Sequence, residues 1–492
     1  MSNTVGNHYA FLGVPRDATK EEIRGAYHEG ARRFHPDTNK SPEATEQFLR
    51  IQKAFDVLGN EAARNEYDLT LPAEPEDRKI TLTPLLSRNA LLPTSEPQLV
   101  YLLLEIAVDP GERRKSAPPL NVCILIDRST SMRGDRIEIV KATARKIVSQ
   151  LRPQDFVSIV EFSDRARVVV PPNRGVDLRK IEAQISQIQV GGGTEIYQGL
   201  RLAYREVARH TRASHINHII LITDGHTYGD EENCLALAEE ARAAGITISG
   251  LGIGKHWNDD FMDRLTSRTG GNSIYIAFAK DIKRFMELKF SGLNNIVAEN
   301  LTLVGQGNKN GVSMRYVFRI HPDPTRLENG QKLPVGNAAL NEPVRVVIEF
   351  LIERVDPDAR EFNLFNGSLW LEFPDRAIPV QRRYLDLTLP VSSDATTHPP
   401  PPEIVQAMSR LTLYRMQEQA RRDMSEGDFD GATRRLKNLA TQLLAKGEPQ
   451  LASMILKEAS LVESGTRDLA SLDKAVKYGT RALLLPPGTN SL

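Results

Sequence analysis

The sequence predicts a multidomain protein: an all-α amino-terminal unit, an α/β doubly wound domain inserted in a β-sandwich, and an α-helical carboxy-terminal bundle. Three observations carry this. Near the amino terminus, apolar residues recur at helical spacing on both sides of the triplet His35-Pro36-Asp37. From residue 118 the pattern changes to near-continuous apolar runs alternating with amphipathic segments, as expected of buried parallel strands with helical crossovers. Strand-rich stretches bracket that region, and helical spacing returns beyond a run of four prolines.

In the amino-terminal unit Thr19 reads as an N-cap with Glu22 three residues on, a capping box. The helix that follows lines up Ile23, Ala26, Tyr27, Ala31 and Phe34 on one apolar face. Pro36 lacks an amide hydrogen and pushes His35 out of helical geometry, so this helix ends at the triplet. Ser41 as N-cap and Pro42 at the first helical position open a second helix, with Phe48, Ile51, Phe55 and Leu58 at helical spacing. Two amphipathic helices therefore flank an exposed, rigid loop.

With a short opening helix from Tyr9 to Gly13 and a closing segment from Arg64 to Asp68, this layout closely resembles the J domain of DnaJ-type co-chaperones over about residues 8 to 68. The resemblance implies a role for the His35-Pro36-Asp37 loop, with Arg24, Arg32 and Arg33 on the preceding helix. Together they would dock on a DnaK-type (heat-shock protein 70) chaperone and trigger ATP hydrolysis there. The preceding helix departs from the family's strongly basic pattern at Gly25, His28 and Glu29, which weakens long-range steering. Gly30 stands where the family tends to carry Leu, so a helix-entropy cost of about 1 kcal/mol and a packing gap are expected there.

The chain has 492 residues, room for about three or four domains. Sixty-three basic residues balance sixty-three acidic ones, which argues against a nucleic-acid coat or a polybasic membrane anchor. No apolar run reaches the length of a membrane span, and the first thirty residues lack a signal-like apolar core. The expectation is a cytoplasmic protein with neither nucleic-acid nor membrane partners. Cys123 and Cys234 are the two cysteines, and both read as structural core residues. Without Cys-x-x-Cys pairs or a Gly/Phe-rich tract, a J protein of this kind would leave client choice to its other domains.

In the α/β region the apolar run Asn121 to Ile126 leads into Asp127-Arg128-Ser129-Thr130-Ser131. A Gly-rich loop ends at Thr194, and the strand from His218 ends in Thr223-Asp224-Gly225. Ligands of such sheets bind beyond the carboxyl ends of the strands, where these oxygen-bearing residues fall. Two carboxylates and three hydroxyls with no soft ligand select a hard cation, and magnesium tolerates a set completed by water better than calcium does. The pattern looks like the metal-ion-dependent adhesion site of von Willebrand factor type A (VWA) domains, over about residues 118 to 294. Carried over, the metal set is Asp127, Ser129, Ser131, Thr194 and Asp224, with Mg2+ or another divalent cation, and an acidic residue of a partner protein would complete the coordination. Thr130 stands where Gly is more usual, which stiffens the loop. Gly250 to Gly254 does not make a phosphate loop, because the spacing is too short and His256 follows Lys255.

The expected organisation is a J domain over 1–70, a linker over 71–79, a β-sandwich from 80–117 and 295–390, and a VWA domain over 118–294. A Pro-rich linker over 391–402 and a helical domain over 403–492 complete it. His210, His215 and His218 lack metal-ligand spacing and read as ordinary histidines. No catalytic constellation emerges, so the chain is expected not to be an enzyme. The leading expectation is a co-chaperone whose VWA domain binds a client. The alternatives are a metal-dependent scaffold with a weak or repurposed J domain, and a chelatase-like subunit requiring a separate ATPase.

Overall fold

The structure is a computed structural model that describes residues 7–35, 37, 42–71, 79–109, 117–173, 178–211, 214–227, 229–305, 311–374, 376, 378–394, 399–464 and 470–484. Pro36, Ser41, most of 71–79, residues 395–398 and the side chain of Arg33 lie outside the described residues.

Four helices form the amino-terminal unit: α1 (His8–Leu12), α2 (Lys20–Phe34), α3 (Pro42–Leu58) and α4 (Glu61–Thr70). The Asn7 side chain caps α1 by accepting from the Tyr9 amide, and Gly13 closes it at a φ of 64°, where a side chain would be strained. The capping box at Thr19 and Glu22 is formed. Tyr9, Leu12, Val14, Ile23, Ile51, Ala54 and Leu58 make the core. The packing gap expected at Gly30 is absent. A Cβ there would lie 3.0 Å from Ile51 Cδ1, so Ile51 of α3 already fills the space, and the glycine lets α2 and α3 close on each other. Tyr9 ties α1 to α4, donating to Asp68 at 2.8 Å and accepting from Arg64 Nε at 2.9 Å.

Two strands, β1 (Lys79–Leu86) and β2 (Gln98–Asp109), precede the α/β domain, which comprises β3 (Leu120–Asp127), α5 (Asp135–Ser149), β4 (Phe156–Phe162), β5 (Ala166–Asn173), α6 (Leu178–Ser186), α7 (Ile196–Ala208), β6 (Ile216–Thr223), α8 (Glu231–Ala243), β7 (Thr247–Ile253), α9 (Asp259–Ser267), β8 (Ser273–Ile276) and α10 (Ile282–Asn294). Its sheet order is β5-β4-β3-β6-β7-β8. The strands read as unbroken apolar runs because both faces are covered: Val122, Ile124 and Ile126 face one core, while Cys123 and Leu125 face the other. Both cysteines are free and buried. The sheet is parallel, as the alternation of strands and helices implies, except at one edge, where β5 pairs antiparallel with β4. Only residues 163–165 join those strands, too few for a crossover.

The chain then returns to the sandwich through β9 (Ile296–Gly305), β10 (Val312–His321), β11 (Thr325–Leu327), β12 (Lys332–Ala339), β13 (Val344–Ile352), β14 (Glu361–Glu372) and β15 (Val380–Pro390). One sheet runs β1-β2-β13-β10-β11 and the other β12-β9-β14-β15. Alternate residues such as Leu102, Leu104, Val346 and Ile348 meet Leu303, Leu369 and Leu371 between them. The carboxy-terminal helices are α11 (Pro402–Glu426), α12 (Phe429–Ala445), α13 (Pro449–Glu463) and α14 (Ala470–Ala482). Their core holds Leu436, Leu439, Leu443, Ile455 and Val462.

Candidate functional sites

The carboxyl ends of β3 and β6 bring the predicted oxygen donors together. Asp127 is fully buried; its Oδ1 accepts from the Ser129 amide at 2.7 Å and its Oδ2 from Thr223 Oγ1 at 2.6 Å. Ser129 Oγ lies 3.0 Å from Ser131 Oγ, which donates to Asp224 Oδ1 at 2.6 Å. Thr194 reaches the same end from the Gly-rich loop. A Cβ on Gly225 would fall 2.7 Å from Thr194 Oγ1, so a side chain after Asp224 would push the threonine away from this position. Thr130 ties the two loops, its amide and its hydroxyl both donating to the Gly192 carbonyl at 3.2 and 3.1 Å.

Two residues outside the expected set of donors belong to this site. Thr223 orients Asp127, and Arg136, in the first turn of α5, pairs with Asp224 Oδ2 while its Nη1 also reaches the Ser131 carbonyl at 3.3 Å. The signal for Arg136 is its place in the first turn of the helix that follows the serine loop. Burial pushes the Asp127 carboxyl up to about 6, against the hydrogen bonds from Thr223 and Ser129, with the Asp224 charge adding to the rise. A cation would relieve this. Among the described residues no group of three or more His, Cys, Asp or Glu side chains is gathered for a metal. The donor set is therefore two carboxylates with three hydroxyls, and it fits a hard, partly hydrated divalent ion.

At the end of α2 the Asp37 amide donates to His35 Nδ1 at 3.2 Å, and the His35 ring sits edge-on to Phe48 at 5.4 Å. The Asp37 side chain is 88% exposed. Arg24 and Arg32 are exposed on the same helix. The histidines of the α/β domain do not converge as ligands: His210 stacks on Phe156 at 4.4 Å, His215 tilts against that ring, and His218 bonds to Ser249 at 3.1 Å.

Fold and sites together define a chain that joins a J domain to a VWA domain. Family models agree: a DnaJ domain matches residues 7–68, a von Willebrand factor type A domain residues 121–288, and an Sll0103-like, C-terminal alpha-helical domain residues 402–486. The protein is thus a J-domain protein carrying a VWA domain. The uncharacterized protein sll0103 of Synechocystis is 28% identical over 430 residues, covering 84% of this chain and 99% of that one. The chaperone protein DnaJ 2 of Thermus thermophilus is 55% identical over 62 residues, 13% of this chain and 22% of that one, so the chain spans about a fifth of that relative. Among solved structures, a von Willebrand factor type A protein from Catenulispora acidiphila superposes with a TM-score of 0.62 at 17% identity, covering 78% of this chain and 91% of that one. The ArnB paralog VWA2 from Sulfolobus acidocaldarius gives 0.51 at 17% identity, with 83% and 99% covered. At such identities these structures speak for the fold alone. Among the described residues no helix is long and apolar enough to cross a membrane.

Proposed function

We propose that this protein is a cytoplasmic J-domain co-chaperone that recruits and stimulates a DnaK-type ATPase, while its VWA domain binds a client or partner protein. The observation that carries the reading is the end of α2, where the Asp37 amide meets the His35 ring and the Asp37 side chain is exposed, with Arg24 and Arg32 exposed along the same helix. Asp127, Ser129, Ser131, Thr194 and Asp224 would hold Mg2+, whose open position supplies positive charge for a carboxylate of the partner. The serine loop orients the donors, Thr223 keeps Asp127 aimed at the centre, and Thr130 holds the loop against the Gly-rich segment. The chain acts by binding, and the chemistry belongs to the recruited ATPase. Having both modules on one chain raises the effective concentration of the second encounter toward the millimolar range.

The test is single-turnover ATP hydrolysis by the DnaK-type chaperone with the wild-type protein, His35→Gln and Asp127→Ala. Stimulation should disappear in His35→Gln and persist in Asp127→Ala, whereas partner binding should need divalent cation and fail only in Asp127→Ala. Equal stimulation by His35→Gln removes the co-chaperone reading; partner binding that is indifferent to chelator removes the metal.

A further inference from the structure

One edge of α2 is engaged within the chain, and its partner is the β-sandwich. Arg382 of β15 is nearly buried, with its side chain 4% exposed, and its guanidinium carbon lies 5.1 Å from the Trp370 ring centre. From there it reaches into the J domain, where Nη2 donates to Glu22 Oε2 at 2.5 Å and Nε lies 3.6 Å from Asp17 Oδ1. Tyr384 Oη donates to Asp17 Oδ2 at 3.1 Å. Two turns along the helix, Lys332 Nζ of β12 meets Glu29 Oε2 at 3.4 Å. Beneath these charges Ile378, from the turn before β15, is buried in the J-domain core alongside Tyr9, Leu12 and Val14. A cleft of about 1420 Å³ remains open between the J domain, the sandwich and the adjoining edge of the α/β domain, and beside it the J domain meets the sandwich through these charged contacts and one apolar plug.

Helical geometry separates two stripes. Glu22, Ala26 and Glu29 fall at i, i+4 and i+7 and share the edge that faces the sandwich. Arg24 and Arg32, eight residues apart, share a second stripe roughly 120° round the helix at 3.6 residues per turn, and both are exposed. The acidic stripe and the basic stripe therefore do not compete for one partner.

We propose that Asp17, Glu22 and Glu29 form an intramolecular docking face that seats the J domain on Arg382 and Lys332 of the sandwich, leaving the basic stripe and the His35–Asp37 turn open to the chaperone. Glu29, which departs from the family's basic pattern, is the residue that Lys332 meets. The outward half of this proposal rests on the reading that the turn engages a DnaK-type chaperone; the docking half does not.

The test uses the full-length chain with Glu29→Cys and Lys332→Cys, treated with a short bismaleimide. Cys123 and Cys234 are buried, so the reagent goes to the introduced thiols, and the exposed ion pair they replace leaves Arg382 in place. An intramolecular cross-link should form in good yield, and Arg382→Glu should cut that yield by about fivefold or more, the effect of losing roughly 1 kcal/mol. Because Arg382 is nearly buried and its loss also disturbs β15, Asp17→Lys on the exposed side is the second variant and should act in the same direction. The cross-linked protein should stimulate the chaperone ATPase as well as the uncross-linked one. No cross-link in the parent, or a yield that survives both variants, overturns the docking. Stimulation lost only on cross-linking overturns the outward orientation. Stimulation by neither form overturns the functional reading and the outward half with it, while the cross-linking yield still decides the docking.

Discussion

The carboxy-terminal helices and the J domain both rest on the central body through charged side chains, but the helices bury a network of them, whereas the J-domain seat buries Arg382 and leaves its acidic partners and Lys332 in contact with water. Lys477 of α14 is 3% exposed and lies 2.5 Å from Asp259, 2.8 Å from Asp260 and 2.9 Å from Asp263 of the VWA domain. Arg481 pairs with Asp263, and Arg421 joins Asp259 at 2.7 Å to Asp473 at 3.1 Å. Burial alone would raise the Asp259 and Asp263 carboxyls; Lys477, Arg421 and Arg481 more than reverse it and hold both well below the usual carboxylate range. At the J-domain seat, by contrast, Lys332 and Glu29 are each about half exposed beside an open cleft. Water takes over when an exposed pair parts, whereas a buried pair that loses one member strands the other. The helical bundle is thus built into the body, and the J domain rests on it.

The largest effect expected from this contrast is that of Lys477→Ala. It leaves Asp259 and Asp263 short of a buried cation, and urea unfolding should show a loss of about 3–5 kcal/mol. A loss below about 1 kcal/mol would mean that the network is wet and would erase the distinction. Next is Glu458, fully buried in α13, whose two oxygens have no hydrogen-bond partner among the described residues. Burial pushes its carboxyl up to about 8, with Asp473 adding to the rise and Arg421 opposing it. A folded-state value above the unfolded one means that the folded chain keeps a proton the unfolded chain has released. Stability should therefore fall as pH rises between about 5 and 8, by at most about 1.4 kcal/mol per unit, and level off above that. Glu458→Gln should flatten this slope in unfolding curves taken across that window; an unchanged slope assigns it to another group. The smallest effect is that of Asp17→Lys, which should shift global stability by less than about 1 kcal/mol while loosening the J domain. A larger shift would place the seat in the same class as the buried network.

Features written within a short span of chain were legible in the sequence. The capping box at Thr19 and Glu22, the helices on either side of His35, and the oxygen donors at the ends of β3 and β6 are each specified by neighbours in sequence or by strand ends. What was not legible depends on distant partners. Arg382 and Glu22 are 360 positions apart, and Lys477 and Asp259 are 218 apart. Helical period assigns a residue to a face but does not say what that face meets. Gly30 illustrates this: a propensity argument gives a gap, and a side chain from the neighbouring helix fills it. The direction of β5 is a milder case, decided by the length of the connection before it.

The junction between α10 and β9 is mechanically short. One residue, Asn295, links them, and the next two side chains, Ile296 and Val297, plug into different cores, that of the α/β domain and that of the sandwich. Upstream, α10 is braced on α5 by Lys146 and Glu287 at 2.7 Å, and α5 carries Arg136 at the oxygen-donor site. A load applied at the serine loop would pass along α5 and α10, whose side chains share one core, into a strand hydrogen-bonded on both sides, so the junction is a direct mechanical path from the oxygen-donor site to the sandwich.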